Sequence, residues 1–233
     1  MVGLTLSTKR LKRPFPSDWY WKSKMPGGIL KGIQVVVIGI LMFAAAGCGT
    51  SGSSKFYVLN ALAGSEMATP AVTARAGVAV GVGPVKIPEY LDRLQIVTRS
   101  TLSSLQLAEF ERWAEPLEKS IPRILAENLS ALLGSDQIAI HPWPNALQVE
   151  YQVVVEVNRL DGTLGQNALL DARWTLLADK GRRIVVRKNS TISEPASGGS
   201  YEGLVMAQSR ALTQLSKEIA TAIREAAQGV SNP

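Results

Sequence analysis

The chain has 233 residues and a formal net charge of +6, but the excess of basic residues lies before residue 48. The remainder holds equal numbers of basic and acidic residues, so it lacks the broad positive surface that attracts phosphate backbones. This argues against a nucleic-acid partner. The single cysteine, Cys48, excludes an intramolecular disulfide and a multi-cysteine metal site.

The segment before Cys48 has the pattern of an export signal. Lysines precede an apolar run from Ile33 to Phe43, and four small residues then end at Gly47. Positive charge, a short apolar core and small residues are typical of a signal peptide in this order. The apolar stretch 33–46 is short for a bilayer-spanning helix, which needs about 20 residues.

Ala-Ala-Gly-Cys at 45–48 resembles the bacterial lipobox, which implies cleavage between Gly47 and Cys48 and a lipid on the cysteine. Ala45 stands where the lipobox more often has leucine. Gly49 follows the cysteine, and by resemblance to Gram-negative sorting rules this implies the outer membrane, on its periplasmic face. An ordinary signal peptide, or a short membrane anchor with a bystander cysteine, is the alternative.

The sequence predicts four segments. Residues 1–24 show no periodicity, and we expect them to be a mis-called extension of a chain that starts at Met25. Residues 25–47 form the lipoprotein signal peptide. The glycine- and serine-rich segment 48–54 is a flexible tether, and residues 55–228 form one domain.

Alternating apolar residues predict several strands in the first half of the domain. They are Phe56–Leu59, Val78–Val85, Leu94–Thr98 and Leu102–Leu107. Gly81 and Gly83 leave one face of the second strand nearly free of side chains, which allows close approach of a helix or another subunit. The residues 90–93 form a tight connection, residues 63–76 a loop, and Arg99-Ser100 a hairpin turn.

Two long amphipathic helices are predicted. The first runs over 115–133 and stops at Gly134, although Pro122 favours a start or a bend at that point. Tyr201–Ala227 is the second.

Between the two helices lie the strands 138–140, 149–160, 169–178 and 184–192, with a break at Asp161-Gly162, a hairpin turn at 179–182, and a loop at 194–200. Two amphipathic helices each need a sheet face to cover. The predicted fold is therefore α+β, a two-layer sandwich of a mainly antiparallel sheet covered by two long helices.

Few residues suggest catalysis. His141 is the only histidine, and it stands in a His-Pro-Trp-Pro loop. Gly81 and Gly83 lack the third glycine and the following helix of a dinucleotide fingerprint, and there is no Walker A motif. The glutamates 109, 111, 115 and 118 are more simply a solvated approach to the first helix than an acid/base set. Trp113 is expected in the core rather than at an interface. We predict no catalytic residue, no metal site and no cofactor besides the covalent lipid on Cys48.

Two long segments resemble one family. VGVGPVKIPEYLDRLQIVTR at 80–99 and FERWAEPLEKSIPRILAENLSALL at 110–133 are similar to the ABC-type transport auxiliary lipoproteins, the PqiC-like family, as is the opening Phe-Tyr-Val-Leu. Leu94 replaces a proline that is common in the family. The resemblance implies an outer-membrane component of systems that pair MCE-domain proteins with an ABC transporter or an integral membrane partner. Such systems move phospholipid or other hydrophobic molecules.

The resemblance implies a docking role, and loop residues with polar or aromatic groups are the candidate contacts. They are Tyr90, Asp92, Arg93 and Arg99, and a homo-oligomer is possible. The two arginines could instead form salt bridges to Asp92 or to a nearby glutamate. The alternative function is a periplasmic lipid carrier that encloses an acyl chain. A third, an envelope hydrolase, would have to use His141.

Overall fold

The computed structural model describes residues 32, 36–37, 52–61, 77–144 and 147–229. The chain divides into two units, residues 1–51 and 52–233. In the first unit, the described residues 32, 36 and 37 are helical and exposed. Gly47, Cys48 and the predicted loop 63–76 lie outside the described residues.

The second unit contains eight described strands, two α-helices and two short 3₁₀ helices. The strands are β1 (Lys55–Tyr57), β2 (Val80–Lys86), β3 (Gln95–Thr101), β4 (Ser104–Trp113), β5 (Ile138–Ile140), β6 (Tyr151–Gly162), β7 (Asn167–Ala178) and β8 (Arg183–Pro195). The helices are α1 (Leu117–Leu133) and α2 (Tyr201–Gly229), and the 3₁₀ helices are Glu89–Leu91 and Ser197–Gly199. This is the predicted α+β class, with both long helices near their predicted positions.

The long sheet has the strand order β5-β2-β6-β7-β8. The last three strands form an antiparallel meander, whose β7–β8 turn takes left-handed φ at Asp179, Lys180 and Gly181, as expected of a tight hairpin. β2 instead runs parallel to both of its neighbours. Parallel neighbours need a crossover, and the chain between β2 and β5 supplies one that includes α1. The sheet is therefore mixed. The sequence did not predict its parallel pairs, because the alternation of apolar residues along one strand carries no information about the direction of the neighbouring strand.

A second, three-stranded sheet has the order β1-β4-β3. β3 and β4 form an antiparallel hairpin whose tip is Leu102-Ser103, so the predicted turn at Arg99-Ser100 is wrong. Arg99 pairs with Leu105 inside the ladder. The glutamates 109 and 111, predicted to approach a helix, lie in β4.

The helices cover the long sheet from one side. α1 packs on β2 and β5, and α2 packs on β6, β7 and β8. α1 begins at Leu117, so Pro122 lies inside the helix and does not start it, and Gly134 ends it in the left-handed conformation with φ of 60°. Among the described residues, no helix combines the length and the apolar character that crossing a bilayer requires.

The layer between helices and sheet is filled with side chains. Val153, Val155 and Leu176 of the sheet and Leu212 and Leu215 of α2 are fully buried. Trp113 is buried in the core, as predicted. Each such side chain contributes about 1.5–3 kcal/mol on leaving water.

Candidate interaction site around Asp161

A buried carboxylate joins the hairpin to the end of the long sheet. Asp161 lies at the end of β6 and its side chain has no exposed surface. Arg99 of β3 donates from Nη2 to Oδ2 at 2.8 Å and from Nε to the same oxygen at 3.1 Å. Arg159 donates from Nε to Oδ1 at 2.7 Å, and the Tyr90 hydroxyl lies 3.4 Å from Oδ2. A buried carboxylate is tolerated only with such partners.

The charges in this cluster shift the proton affinity of its members. The hydrogen bond to Asp161 raises the pKa of Arg99, although burial opposes it. Burial and then the charge of Asp161 raise the pKa of Tyr90. Two guanidinium groups face one carboxylate, and their side chains stay 17% and 29% exposed. The cluster therefore presents an excess of positive charge beside a protonated phenol.

Local backbone features bring these groups together. A register shift between Val157 and Arg159 breaks the alternation of β6 against β7, and the three residues that end the strand are all buried. Gly162 is required there, because a Cβ would overlap the backbone oxygen of Asn167 and Leu204. Arg99 also donates to the carbonyl of Leu102 at 2.7 Å, which fixes the hairpin tip.

The structure unites two of the four predicted contact residues. Tyr90 and Arg99 meet at Asp161. Asp92 is exposed and ends the 3₁₀ helix, where its backbone N–H donates to Glu89. Arg93 is half-buried, and within the described part of the chain its Nε has no hydrogen-bond partner. Arg99 forms a salt bridge, as the alternative predicted, but its partner is Asp161 rather than Asp92 or a glutamate.

Sequence analysis missed Asp161 and Arg159. The strand break predicted at Asp161-Gly162 is wrong, because both residues lie within β6 and pair with Leu169 and Ala168 of β7. A single aspartate next to a glycine is the usual turn signal. Its burial depends on the hairpin contributed by β3, some sixty residues earlier in the chain, and no local pattern contains that information.

The His-Pro-Trp-Pro loop covers the glycine face of β2. A Cβ at Gly81 would lie 2.5 Å from the Trp143 ring, so the close approach predicted for a helix or subunit is made by this ring. His141 is exposed and meets Trp143 edge to face, with ring centroids 5.5 Å apart. Among the described residues, no three His, Cys, Asp or Glu side chains are grouped as a metal site requires.

Residues 57–220 match the model of the family described as the ABC-type transport auxiliary lipoprotein component. The chain belongs to this family. The matched segment contains the whole Asp161 cluster and both helices up to residue 220. Family membership identifies the chain as an auxiliary lipoprotein component of ABC-type transport, and a lipoprotein is membrane-associated.

Solved structures support the fold. A Xanthomonas campestris protein of the DUF330 family is 19% identical, with a TM-score of 0.62 over 77% of this chain and 100% of its own. An uncharacterized protein is 18% identical, with a TM-score of 0.59 over 74% of this chain and 99% of its own. None of the curated proteins compared with the chain matches it. At this identity the likeness concerns the fold alone.

Proposed function

We propose that this chain is a non-enzymatic outer-membrane lipoprotein that docks an MCE-domain protein within an ABC-type system for lipid or other hydrophobic molecules. The observation that carries the proposal is the family match over residues 57–220. A lipid on Cys48 anchors the domain at the periplasmic face, and the motor lies in another subunit.

The sequence before residue 52 supports the anchor. A short apolar run and small residues lead directly to the only cysteine of the chain. One acyl chain holds a protein only marginally, and the several chains of a processed lipoprotein hold it stably. Gly49 after the cysteine favours the outer membrane.

The Asp161 cluster supports docking. Tyr90 of the cluster and the exposed Asp92 lie in the connection between β2 and β3, and binding residues are commonly found on connections. The carboxylate holds Arg99 in one orientation, so the surface beside it is preorganised for a partner.

Packing favours docking over the alternative of a lipid carrier. A carrier needs an enclosed apolar cavity of several hundred cubic ångströms. The space between the long sheet and the helices is occupied by core side chains. A cleft of about 500 Å³ lies on the other face of the sheet, and it is open and lined by Glu156, Arg173 and Arg187 among others. Charged groups of this kind do not suit an acyl chain.

A site-specific crosslink tests the docking proposal. A photo-crosslinking amino acid at Asp92 should give an adduct with an MCE-domain protein in the native host. The matched control is the same amino acid at Glu225, which is exposed on α2. The proposal would be contradicted if both positions gave adducts in equal yield. It would also be contradicted if no adduct at position 92 contained an MCE-domain protein.

A further inference from the structure

Four apolar side chains are exposed along one hairpin. Leu102 at the tip is 92% exposed, and Leu105, Leu107 and Phe110 of β4 are between 36% and 50% exposed. We call these four residues the hairpin patch. Large exposed apolar side chains concentrated on one hairpin in this way mark a contact with a partner or a membrane.

The same stretch of β4 is also a free sheet edge. β4 pairs with β1 only over Glu111–Trp113. In the described ranges, residues 104–110 have β3 on one side and no strand on the other. Exposed edges are usually protected by lysine or proline. Residues 104–110 contain neither, and only Glu109 and a register irregularity against β3 protect this edge among the described residues.

The start of the described domain lies against the patch. Gly52 packs on the ring of Phe110, and a Cβ there would lie 3.1 Å from Cζ. Three residues separate Gly52 from Cys48 in the sequence. Since an extended chain spans at most about 3.6 Å per residue, a lipid on Cys48 leaves the protein within roughly 14 Å of Gly52. The bilayer that receives the lipid is therefore close to the Phe110 end of the patch, and the strand leads from there to Leu102, eight residues or at most about 26 Å away.

We propose that the hairpin patch enters the bilayer surface that holds the Cys48 lipid, and so fixes the orientation of the domain on the membrane. This inference rests on the proposed anchor. The occupant is a lipid surface because the tether is too short to keep the Phe110 end of the patch far from it.

The hairpin transmits this orientation to the long sheet. Arg99 ties it to Asp161 at one end of β6. The β7–β8 turn lies at the other end, since Tyr151 pairs with Ala178 while Gly162 pairs with Ala168. At about 3.4 Å per residue, the ten residue intervals from Tyr151 to Asp161 span about 34 Å. The turn is then held away from the membrane.

Charge has a small part in this contact. Lys55 pairs with Glu111 at 3.8 Å, and the exposed Glu109 beside the patch offsets the one positive charge by which Arg99 and Arg159 exceed Asp161. Apolar insertion, rather than attraction to anionic headgroups, therefore has to hold the hairpin. We expect its membrane contact to change little with salt concentration.

A single-thiol probe tests the inference. Since Cys48 is the only cysteine and carries the lipid, Leu102→Cys introduces the one thiol that a nitrobenzoxadiazole dye can label. The control is Ile184→Cys, an exposed apolar position of β8 that pairs with Leu177 near the far turn. Each labelled lipoprotein is reconstituted into vesicles of phosphatidylethanolamine and phosphatidylglycerol.

The dye at position 102 should brighten roughly twofold or more on leaving water, and nitroxide-labelled lipid should quench it. The dye at position 184 should do neither. If both dyes stay unchanged while mass spectrometry finds acyl chains on Cys48, the bilayer contact is refuted and the anchor stands. Unmodified Cys48 refutes both.

One further outcome would assign the patch to another occupant. The dye at position 102 could brighten before vesicles are added, in a larger species detected by sedimentation. If Leu105→Ser then returns that species to monomer, the patch is an interface between copies of the chain. The bilayer contact would be overturned.

Discussion

At the scale of single residues, Asp161 is the group on which the most contacts converge. It accepts hydrogen bonds from two arginines while fully desolvated, and these contacts join elements that are distant in sequence. Removing one partner of a buried ion pair leaves the others uncompensated. The energetic importance of Asp161 is thus greater than that of any surface carboxylate.

Asp161→Asn should lower the free energy of unfolding by about 3 kcal/mol, because it removes the charge that compensates Arg99 and Arg159. Asp171→Asn is the matched control, since Asp171 accepts a hydrogen bond from Asn158 on an exposed surface. The control should cost less than about 0.5 kcal/mol. Urea unfolding of the two variants measures both values, and equal losses would contradict the role given to Asp161.

The Gly81–Trp143 contact illustrates how far a sequence pattern reaches. Paired glycines on a strand correctly indicated that something approaches the strand closely. Which group approaches was not predictable, because the contact is set by the parallel pairing of β5 with β2. That pairing places the loop after β5 over the glycine face. Local geometry was therefore predictable from the sequence, while the identity of the neighbour was not.

At the scale of elements, periodicity located both helices because a long amphipathic stripe is a strong local signal. The small sheet was harder to predict. β4 contains exposed leucines and a phenylalanine, so its apolar residues do not mark a buried face. A register irregularity between its pairs with Gln95 and Val97 further obscures the alternation. The misplaced turn at Arg99 follows from this.

α2 is joined to β8 by a polar chain that crosses the helix–sheet boundary. Trp174 Nε1 donates to Ser190 Oγ, and Ser190 donates to Glu218 at 2.6 Å. Lys188 lies 2.8 Å from the same carboxylate oxygen. Burial opposes ionisation of Glu218, but the hydrogen bonds from Lys188 and Ser190 prevail and lower its pKa.

A lowered carboxyl pKa adds stability that is present above the unfolded-state pKa and disappears as the pH falls through the folded-state value. Glu218→Gln should therefore cost about 1 kcal/mol at neutral pH, with a discount for the partial exposure of the side chain. The difference from wild type should shrink progressively as the pH falls below the unfolded-state pKa of about 4.3. Thermal unfolding across pH measures it, with Glu225→Gln as an exposed control on the same helix. A loss that stays constant down to acidic pH would refute the ionic contribution.

At the scale of the whole molecule, the domain and its anchor are separable in physical terms. In the part of the chain that the structure describes, the core is built from residues of the second unit, from Leu59 onward. The family description and the lipobox concern different parts of the chain, since the match begins at residue 57. The family match shows the lipoprotein character, and the lipobox predicts it from a separate part of the sequence. The Asp161 cluster emerged only with the tertiary structure.

Cys48→Ala should consequently abolish membrane attachment without changing the folded domain. Without the thiol, signal peptidase II has no acylated substrate, so the variant should accumulate as an unprocessed precursor or appear in the soluble periplasmic fraction. Its free energy of unfolding should match that of the wild-type domain within about 0.5 kcal/mol, as for a surface substitution. Ser51→Ala, which keeps the thiol, serves as the control and should be processed and lipidated normally.

Fractionation of cells treated with globomycin, followed by mass spectrometry of the mature N-terminus, measures each step. Wild-type protein that globomycin leaves fully processed would exclude lipidation, and the hairpin patch would then need a different partner.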